Sequence, residues 1–86
     1  MKISVFTFHV DSTKENELRD VVADYFKRYY PDAEHKGTLT LTANHRLVVA
    51  TYDFEWMWSQ VSTFVDSVLR VASDKGILVV CESINF

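Results

Sequence analysis

Three side chains of this sequence have the chemistry of an acid–base or metal site: His9, Asp11 and His45. His9 and Asp11 flank the end of the first predicted strand, and His45 lies in the connection between the second and third strands. Two imidazoles and a carboxylate can bind a divalent metal ion or transfer protons. The same residue types are also common at strand ends and turns, where they satisfy backbone groups. A structural role is therefore the favoured interpretation, and a catalytic site is the alternative.

The opposite edge of the predicted sheet gathers His35, Asp53, Tyr29 and Tyr30, and we expect the two tyrosines in the core and at its rim rather than in catalysis. Asp11 and Asp53 follow antiparallel strands, so their carboxylates point to opposite edges. This excludes a paired-carboxylate hydrolase within one chain.

Motifs that would specify a reaction are absent from the sequence. Two glycines, Gly37 and Gly76, are too few for a phosphate-binding loop, and neither a G-x-S-x-G nor an H-E-x-x-H pattern occurs. The single cysteine, Cys81, excludes an internal disulfide and a multi-cysteine metal site. It falls within a predicted strand, which is typical of a packed thiol in a reducing compartment. The sequence predicts no cofactor and no metal, and it favours a protein that is not an enzyme.

The composition indicates one folded domain spanning residues 1–86. A hydrophobic fraction of 48% is enough for a core and too high for a disordered chain. Nine basic and twelve acidic residues give a net charge of −3, which disfavours a nucleic-acid partner because phosphate contacts need clustered lysine and arginine. Met1 and Lys2 lead directly into a strand rather than a signal peptide, and no apolar run approaches the ~20 residues that span a bilayer. We therefore expect a cytoplasmic protein without membrane contact.

The elements that must position these groups follow the order β-α-β-β-α-β. The first strand, Lys2 to Val10, is apolar on both faces, with Phe6 and Phe8 on the side opposite Ile3 and Val5. This pattern is typical of a central strand that is covered from both directions. The order predicts a ferredoxin-like α+β sandwich, in which a four-stranded antiparallel sheet of order 4-1-3-2 carries two helices on one face.

Both predicted helices carry apolar residues at three- and four-residue steps. The first has Ser12 and Glu15 at the spacing of a capping box and ends before Pro31. The second follows Asp53, a good N-cap, and ends before Gly76. The predicted buried positions are Leu18, Val21, Val22, Tyr25, Phe26 and Tyr29 in the first helix, and Met57, Val61, Phe64, Val65, Val68, Leu69 and Ala72 in the second.

The middle strands, Thr38–Thr42 and Leu47–Tyr52, form a predicted hairpin around residues 43–46. The alternation of threonine and leucine in the first of them places its leucines toward the helices. If Thr42 is paired with Leu47, then Val48 also faces the helices and Leu47 lies on the open face.

The open face of the sheet is then strongly apolar, with Ile3, Val5, Leu47, Val49 and part of the last strand, Ile77 to about Ile84. Monomers rarely expose such a patch. A second copy would cover it, either sheet face against sheet face or through paired edge strands. The sequence therefore predicts a homodimer with these four residues in its interface.

The outer face of the second helix is the second predicted contact surface. It carries Trp56, Gln60 and Thr63 and few charges, a composition that resembles the core of a protein interface. We expect these three residues to bind a protein partner. In the alternative interpretation, Trp56 folds back over the end of a strand and the polar residues are simply solvated.

The layout of Asp11 at the end of the first strand, followed by a helix, is similar to that of Cas2-type proteins and their antitoxin relatives, although Val10 stands where that group has a tyrosine. The resemblance implies a dimer in which the Asp11 carboxylate lies near the axis and supports metal-dependent nuclease activity. A different alternative, RNA binding on the open face, would require Phe6 and Phe8 to point outward as stacking platforms.

The sequence therefore predicts a small non-catalytic binding or regulatory module that acts through protein–protein contact as a homodimer, as many inhibitor and antitoxin-type proteins of this size do. The alternatives are a Cas2-like metal-dependent nuclease, an RNA-binding protein of the same fold, and a ligand-binding domain of the ACT type. The last is disfavoured because the turn between the first strand and the first helix contains no glycine.

Overall fold

The computed structural model describes residues 2–32 and 36–86. Its strands and helices follow the predicted order along the chain. They are β1 (Ile3–Val10), α1 (Glu15–Tyr29), β2 (Gly37–Leu41), β3 (Arg46–Tyr52), α2 (Trp58–Asp74) and β4 (Val79–Asn85). The predicted alternation of strands and helices is therefore confirmed, with α2 starting later than expected.

β1 lies in the interior of the sheet, as its two apolar faces predict. The strand order is β2-β3-β1-β4, which is the predicted order 4-1-3-2 counted from the other edge. All neighbouring strands are antiparallel, and β1 is paired with β3 from Ile3–Tyr52 to His9–Arg46. The chain thus has an α+β fold whose sheet ends at β2 on one side and β4 on the other.

Both helices cover the face of the sheet to which β1 directs its phenylalanines. Phe6 and Phe8 are completely buried. Phe64 of α2 meets both of them edge to face, with ring centroids 5.2 and 6.1 Å apart. Phe26 of α1 lies 5.1 Å from the same Phe64 ring. Each such ring contributes about 1.5–3 kcal/mol by burial, so this cluster determines which face the helices cover.

The register of the β2–β3 hairpin differs from the prediction by one residue. Leu41, and not Thr42, is paired with Leu47. The loop has three residues, closed by a hydrogen bond of 2.8 Å from the Thr42 amide to the Arg46 carbonyl oxygen, and His45 takes the left-handed conformation with φ 61°. A left-handed residue at the end of a three-residue loop is a common hairpin geometry. Because side chains alternate along a strand, this shift reverses the two faces of β3 relative to the prediction.

The start of α2 also differs from the prediction. Asp53 is not its N-cap but a left-handed residue with φ 55°, whose amide donates to the Lys2 carbonyl oxygen over 2.7 Å. The chain then runs without helix to the N-cap Met57, whose amide donates to the Gln60 side chain over 2.9 Å. Met57 is therefore exposed instead of buried. Gly76, with φ 73°, follows the helix end in the left-handed conformation, as predicted.

Candidate functional site

Asp11 is engaged in the turn that precedes α1. Its Oδ1 accepts hydrogen bonds from the Thr13 amide at 3.1 Å and from the Thr13 hydroxyl at 3.2 Å. This is the local bonding of an Asx turn, which positions the chain for the first helical residues. The predicted capping box of Ser12 and Glu15 does not form, because Lys14 is the N-cap and no side chain caps the helix.

His45 contacts α1 rather than the other predicted site residues. Its Nδ1 lies 2.6 Å from Oε1 of Glu15, so the imidazole is oriented by a carboxylate from the first residue of the helix. The two residues are thirty positions apart in sequence. Sequence analysis missed Glu15 as a partner because its spacing from Ser12 indicated a capping role.

His9 lies on the open face of the sheet, directly opposite Arg46 on β3. It is therefore separated from His45, which turns toward α1. His9, Asp11 and His45 do share the rim of a shallow cavity of about 320 Å³, which Leu78 and Val80 also line. Among residues 2–32 and 36–86, no group of three histidine, cysteine, aspartate or glutamate side chains is arranged to hold a metal ion. The predicted cluster thus meets at one edge, but Asp11 and His45 are engaged in separate structural contacts.

Arg46 forms a two-point ion pair with Glu82 of β4 on the open face. The guanidinium Nε lies 2.6 Å from Oε1 and Nη2 lies 3.1 Å from Oε2, while Nη1 donates to the Asn44 carbonyl oxygen over 3.0 Å. The hydrogen bond to Arg46 lowers the pKa of the Glu82 carboxyl, and the same contact raises the pKa of the guanidinium. Glu82 is therefore ionised at neutral pH, and its charge is compensated within the chain.

Glu82 follows Cys81, which faces the helices, so alternation along the strand places Glu82 on the open face at a point where β4 is irregular. The pairing of β1 with β4 shifts between Thr7 and Phe8, which are opposite Ser83 and Cys81 respectively. Glu82 is therefore an extra residue of β4 without a partner of its own on β1. Such a bulge bends the strand and redirects side chains.

Trp56 is buried, which contradicts its predicted place on the outer face of α2. It precedes the helix, and only 5% of its surface is exposed. Its ring lies 5.0 Å from that of Phe6, and its indole N–H donates to Oγ1 of Thr51 over 2.9 Å. The structure therefore agrees with the alternative interpretation, in which Trp56 folds back over the sheet. The cause is the late start of α2, which leaves residues 53–57 free to cross the end of the core.

Gln60 and Thr63 remain on α2, but without an aromatic anchor between them. Gln60 is half-buried and its side chain caps the first turn, whereas Thr63 is exposed. The predicted contact surface on the outside of α2 therefore does not include Trp56, its one predicted aromatic residue.

Leu47 and Val49 lie under the helices and are completely buried, so their predicted position on the open face is wrong. The hairpin register described above is the reason. Ile3 and Val5 do lie on the open face, as predicted, and Phe6 and Phe8 do not, which removes the stacking platforms that RNA binding there would need. The open face mixes polar and apolar residues, namely Ile3, Val5, Thr7, His9, Thr38, Thr40, Val48, Ala50, Val80 and Ser83.

The exposed apolar residues concentrate instead along β4. We call Trp58, Leu78, Val80, Ile84 and Phe86 the β4 surface. Their exposed fractions run from 38% for Ile84 to 75% for Leu78. Trp58, the first residue of α2, lies beside the end of β4, with its ring 5.2 Å from that of Phe86. Only three other large apolar residues are exposed in the described part of the chain, Ile3, Tyr29 and Met57.

Cys81 lies between the two ends of the β4 surface, with its side chain toward the helices. It packs against the buried core and is half-buried. Burial raises the pKa of its thiol, which disfavours the reactive thiolate at neutral pH. This environment agrees with the packed thiol that the sequence predicts.

A groove of about 480 Å³ separates α1 from α2 on the outside of the molecule. Tyr25 and Tyr29 line it, together with Asp24 and Arg28, which pair with each other at 3.6 Å. Burial, with a smaller effect of Tyr30, raises the pKa of Tyr25 to about 12. Tyr30 packs on the core, and Tyr29 lies at its rim. Because Tyr29 is 59% exposed, its predicted burial with the other apolar residues of α1 is wrong. His35, predicted near these tyrosines, lies outside the described residues.

Comparison with protein-family models, with curated proteins and with solved structures finds no match for this chain. Within the described residues, neither helix combines the length and the apolar character required to cross a bilayer.

Proposed function

We propose that this protein is a non-catalytic binding module of the ferredoxin-like type, which acts through protein–protein contact as a homodimer and uses the β4 surface for that contact. The observation that carries the proposal is the concentration of exposed apolar side chains along one edge strand and its two flanks. The edge of β4 is apolar on both faces, because Val80 lies on the open face and Ile84 on the face toward the helices, and exposed apolar surface on a small protein usually marks an interaction site.

The edge position of β4 adds a second reason. β4 pairs with β1 on one side only, so backbone N–H and C=O groups on its other side are open to another strand. Proteins usually protect such edges with lysine, proline, free charges or β-bulges, and of these β4 has the bulge at Glu82. β4 contains neither lysine nor proline, and Glu82, its one charged residue, is compensated by Arg46.

The arrangement of the apolar residues favours a second copy as the partner. Leu78 and Val80 lie at the start of β4, and Ile84 and Phe86 lie at its end. Two antiparallel copies related by a two-fold axis would place each start beside the other's end, so the second copy would cover apolar residues on both faces of β4, Val80 on the open face and Ile84 on the face toward the helices. The engagement of Asp11 and His45 in structural contacts supports a role without catalysis.

The proposal is tested by measuring the dissociation constant by sedimentation at micromolar concentrations. Replacing Leu78→Ala and Phe86→Ala together removes one apolar residue from each end of the surface. We expect the dissociation constant to rise at least ~10-fold, since two apolar contacts that together contribute about 1.4 kcal/mol account for a tenfold change. The matched control, Ile3→Ala with Tyr29→Ala, removes two other exposed apolar residues away from β4 and should leave the dissociation constant unchanged.

A monomeric wild-type chain throughout this range would contradict the homodimer. A dimer that is weakened by the control pair instead would place the interface on the open face or on α1, and would contradict the assignment to β4.

A further inference from the structure

We infer that the two copies pair β4 against β4 in antiparallel orientation, and that Arg46 is the residue that permits this pairing by compensating Glu82 at its centre. The inference rests on the homodimer proposed above.

The position of Glu82 makes its charge decisive. Glu82 lies at the bulge, between the regular segments 79–81 and 83–85 of β4. A two-fold axis that brings the start of one β4 beside the end of the other passes near this bulge. The two Glu82 side chains then lie next to each other, and like charges placed opposite one another oppose strand pairing.

The bulge is compatible with this arrangement. Bulges often protect edge strands because they interrupt a regular ladder of hydrogen bonds. Here the interruption falls at the axis itself, where each strand would change from one regular segment to the other. The segments of the two copies can therefore be paired in the register that matches their faces, with Val80 opposite Ser83 on the open face and Val79 opposite Ile84 on the face toward the helices.

Arg46 is held in the geometry that compensation requires. It starts β3, on the far side of β1 from β4, and its guanidinium crosses β1 on the open face to reach both carboxylate oxygens of Glu82. The carbonyl oxygen of Asn44, in the hairpin loop, accepts from the remaining terminal nitrogen. The planar fork of arginine can make these contacts together, which lysine cannot. The three-residue loop thus orients a charge that acts at the opposite edge of the sheet.

The test uses Arg46→Met, which keeps an apolar stem but removes the charge, and the double variant Arg46→Met with Glu82→Gln. We expect the single variant to raise the dissociation constant at least ~10-fold, because uncompensated like charges across an interface are costly. The double variant should return to within about threefold of wild type. High salt should relieve part of the defect of Arg46→Met, because salt screens exposed charges. Arg28→Met, which removes an arginine paired with Asp24 on α1, is the matched control and should bind as wild type does.

Three results would overturn the inference. If wild type is monomeric, the homodimer itself fails and this inference fails with it. If wild type dimerises and Arg46→Met dimerises equally well, the homodimer stands and the role of Arg46 is wrong. If Arg46→Met loses the dimer but neither Glu82→Gln nor salt restores it, Arg46 supports the hairpin and does not compensate a charge. Circular dichroism of each variant shows whether it is folded.

Discussion

Trp56 and Trp58 stand two residues apart and belong to opposite regions of the molecule. Trp56 is 5% exposed, and its ring lies within 6.0 Å of five other aromatic rings. Trp58 is 69% exposed, and its one ring contact in the described part of the chain is with Phe86. The difference arises because residues 53–57 cross the end of the core before α2 begins. An aromatic residue near a helix start is therefore assigned to core or surface by where that helix begins.

The largest expected effect compares the two tryptophans directly. Trp56→Ala should lower the free energy of unfolding by about 3–5 kcal/mol, because it empties a large part of the interior cluster. Trp58→Ala should lower it by less than ~1 kcal/mol, because the side chain is already exposed to water. Urea unfolding at a concentration where the chain is monomeric measures both. Similar losses for the two variants would contradict the assignment of one to the core and the other to the surface.

For dimer association the two tryptophans should rank in the opposite order, with the larger effect at Trp58. Trp58→Ala should weaken the dimer at least ~10-fold, as loss of an aromatic residue from an interface commonly does. A conservative change at the buried position, Trp56→Phe, should leave the dissociation constant close to that of wild type. Sedimentation of folded protein measures both variants. Loss of the dimer in Trp56→Phe alone would show that the core cluster, and not the β4 surface, controls association.

Removing the two hydroxyl groups near Trp56 should have different effects on the free energy of unfolding. Thr51 and Ser4 face each other across β3 and β1, and both are buried. Thr51→Val leaves the indole N–H of Trp56 without its acceptor and should cost about 1–3 kcal/mol of unfolding free energy. The Ser4 hydroxyl has no hydrogen-bond partner in the described part of the chain, so Ser4→Ala should be neutral or stabilising by up to ~1 kcal/mol. Thermal unfolding of the two variants measures the contrast, which equal destabilisation would contradict.

The interior region should lose stability at alkaline pH. The pKa of Tyr25 is raised from 10.0 to about 12 in the folded chain, so the unfolded chain loses this proton first as the pH rises. The folded state is then destabilised progressively from pH 10.0 to about pH 12. Tyr25→Phe should lose less stability than wild type over that interval, as measured by urea midpoints. Parallel profiles of the two proteins would contradict a raised pKa at Tyr25.

The edge region should respond at acid pH, and this is the smallest expected effect because Arg46 and Glu82 are both partly exposed. Arg46 holds the pKa of Glu82 below the ordinary value of 4.5. The stability that the ion pair adds to the fold is therefore fully present above pH 4.5. It is lost as the pH falls through the lower pKa that Glu82 has in the folded chain. The difference in urea midpoint between wild type and Glu82→Gln should shrink on acidification. A difference that stays constant would show that the ion pair does not stabilise the fold.

The strand order could be predicted from the sequence because the residues of β1 themselves indicate its position in the sheet. Two apolar faces require a central strand, and the order of elements then leaves few topologies. The face assignment of β3 could not be predicted in the same way. It depends on whether the hairpin loop has three or four residues. The left-handed residue that decides this is His45, which is neither a glycine nor an asparagine, so its residue type does not indicate that conformation.

The candidate site was harder to predict for a related reason. Asp53 is a residue type that favours the N-cap position, so the sequence predicts a helix that starts four residues too early and carries Trp56 on its outside. The contacts of Glu15 with His45 and of Arg46 with Glu82 join residues thirty and thirty-six positions apart, and no local spacing rule indicates them. The predicted apolar patch on the open face was wrong, because Leu47 and Val49 lie under the helices. Locating the exposed apolar residues on β4 required the register of every strand.

The unequal exposure of the two indoles also gives the chain a pair of built-in fluorescent reporters. Trp58 emits from a water-exposed site, where a dissolved quencher can collide with it, whereas Trp56 emits from an apolar interior that the quencher does not reach. Selective quenching would thus follow the edge of the sheet, and the remaining blue-shifted emission would follow the integrity of the core. One unlabelled sample could report association and unfolding as separate optical signals.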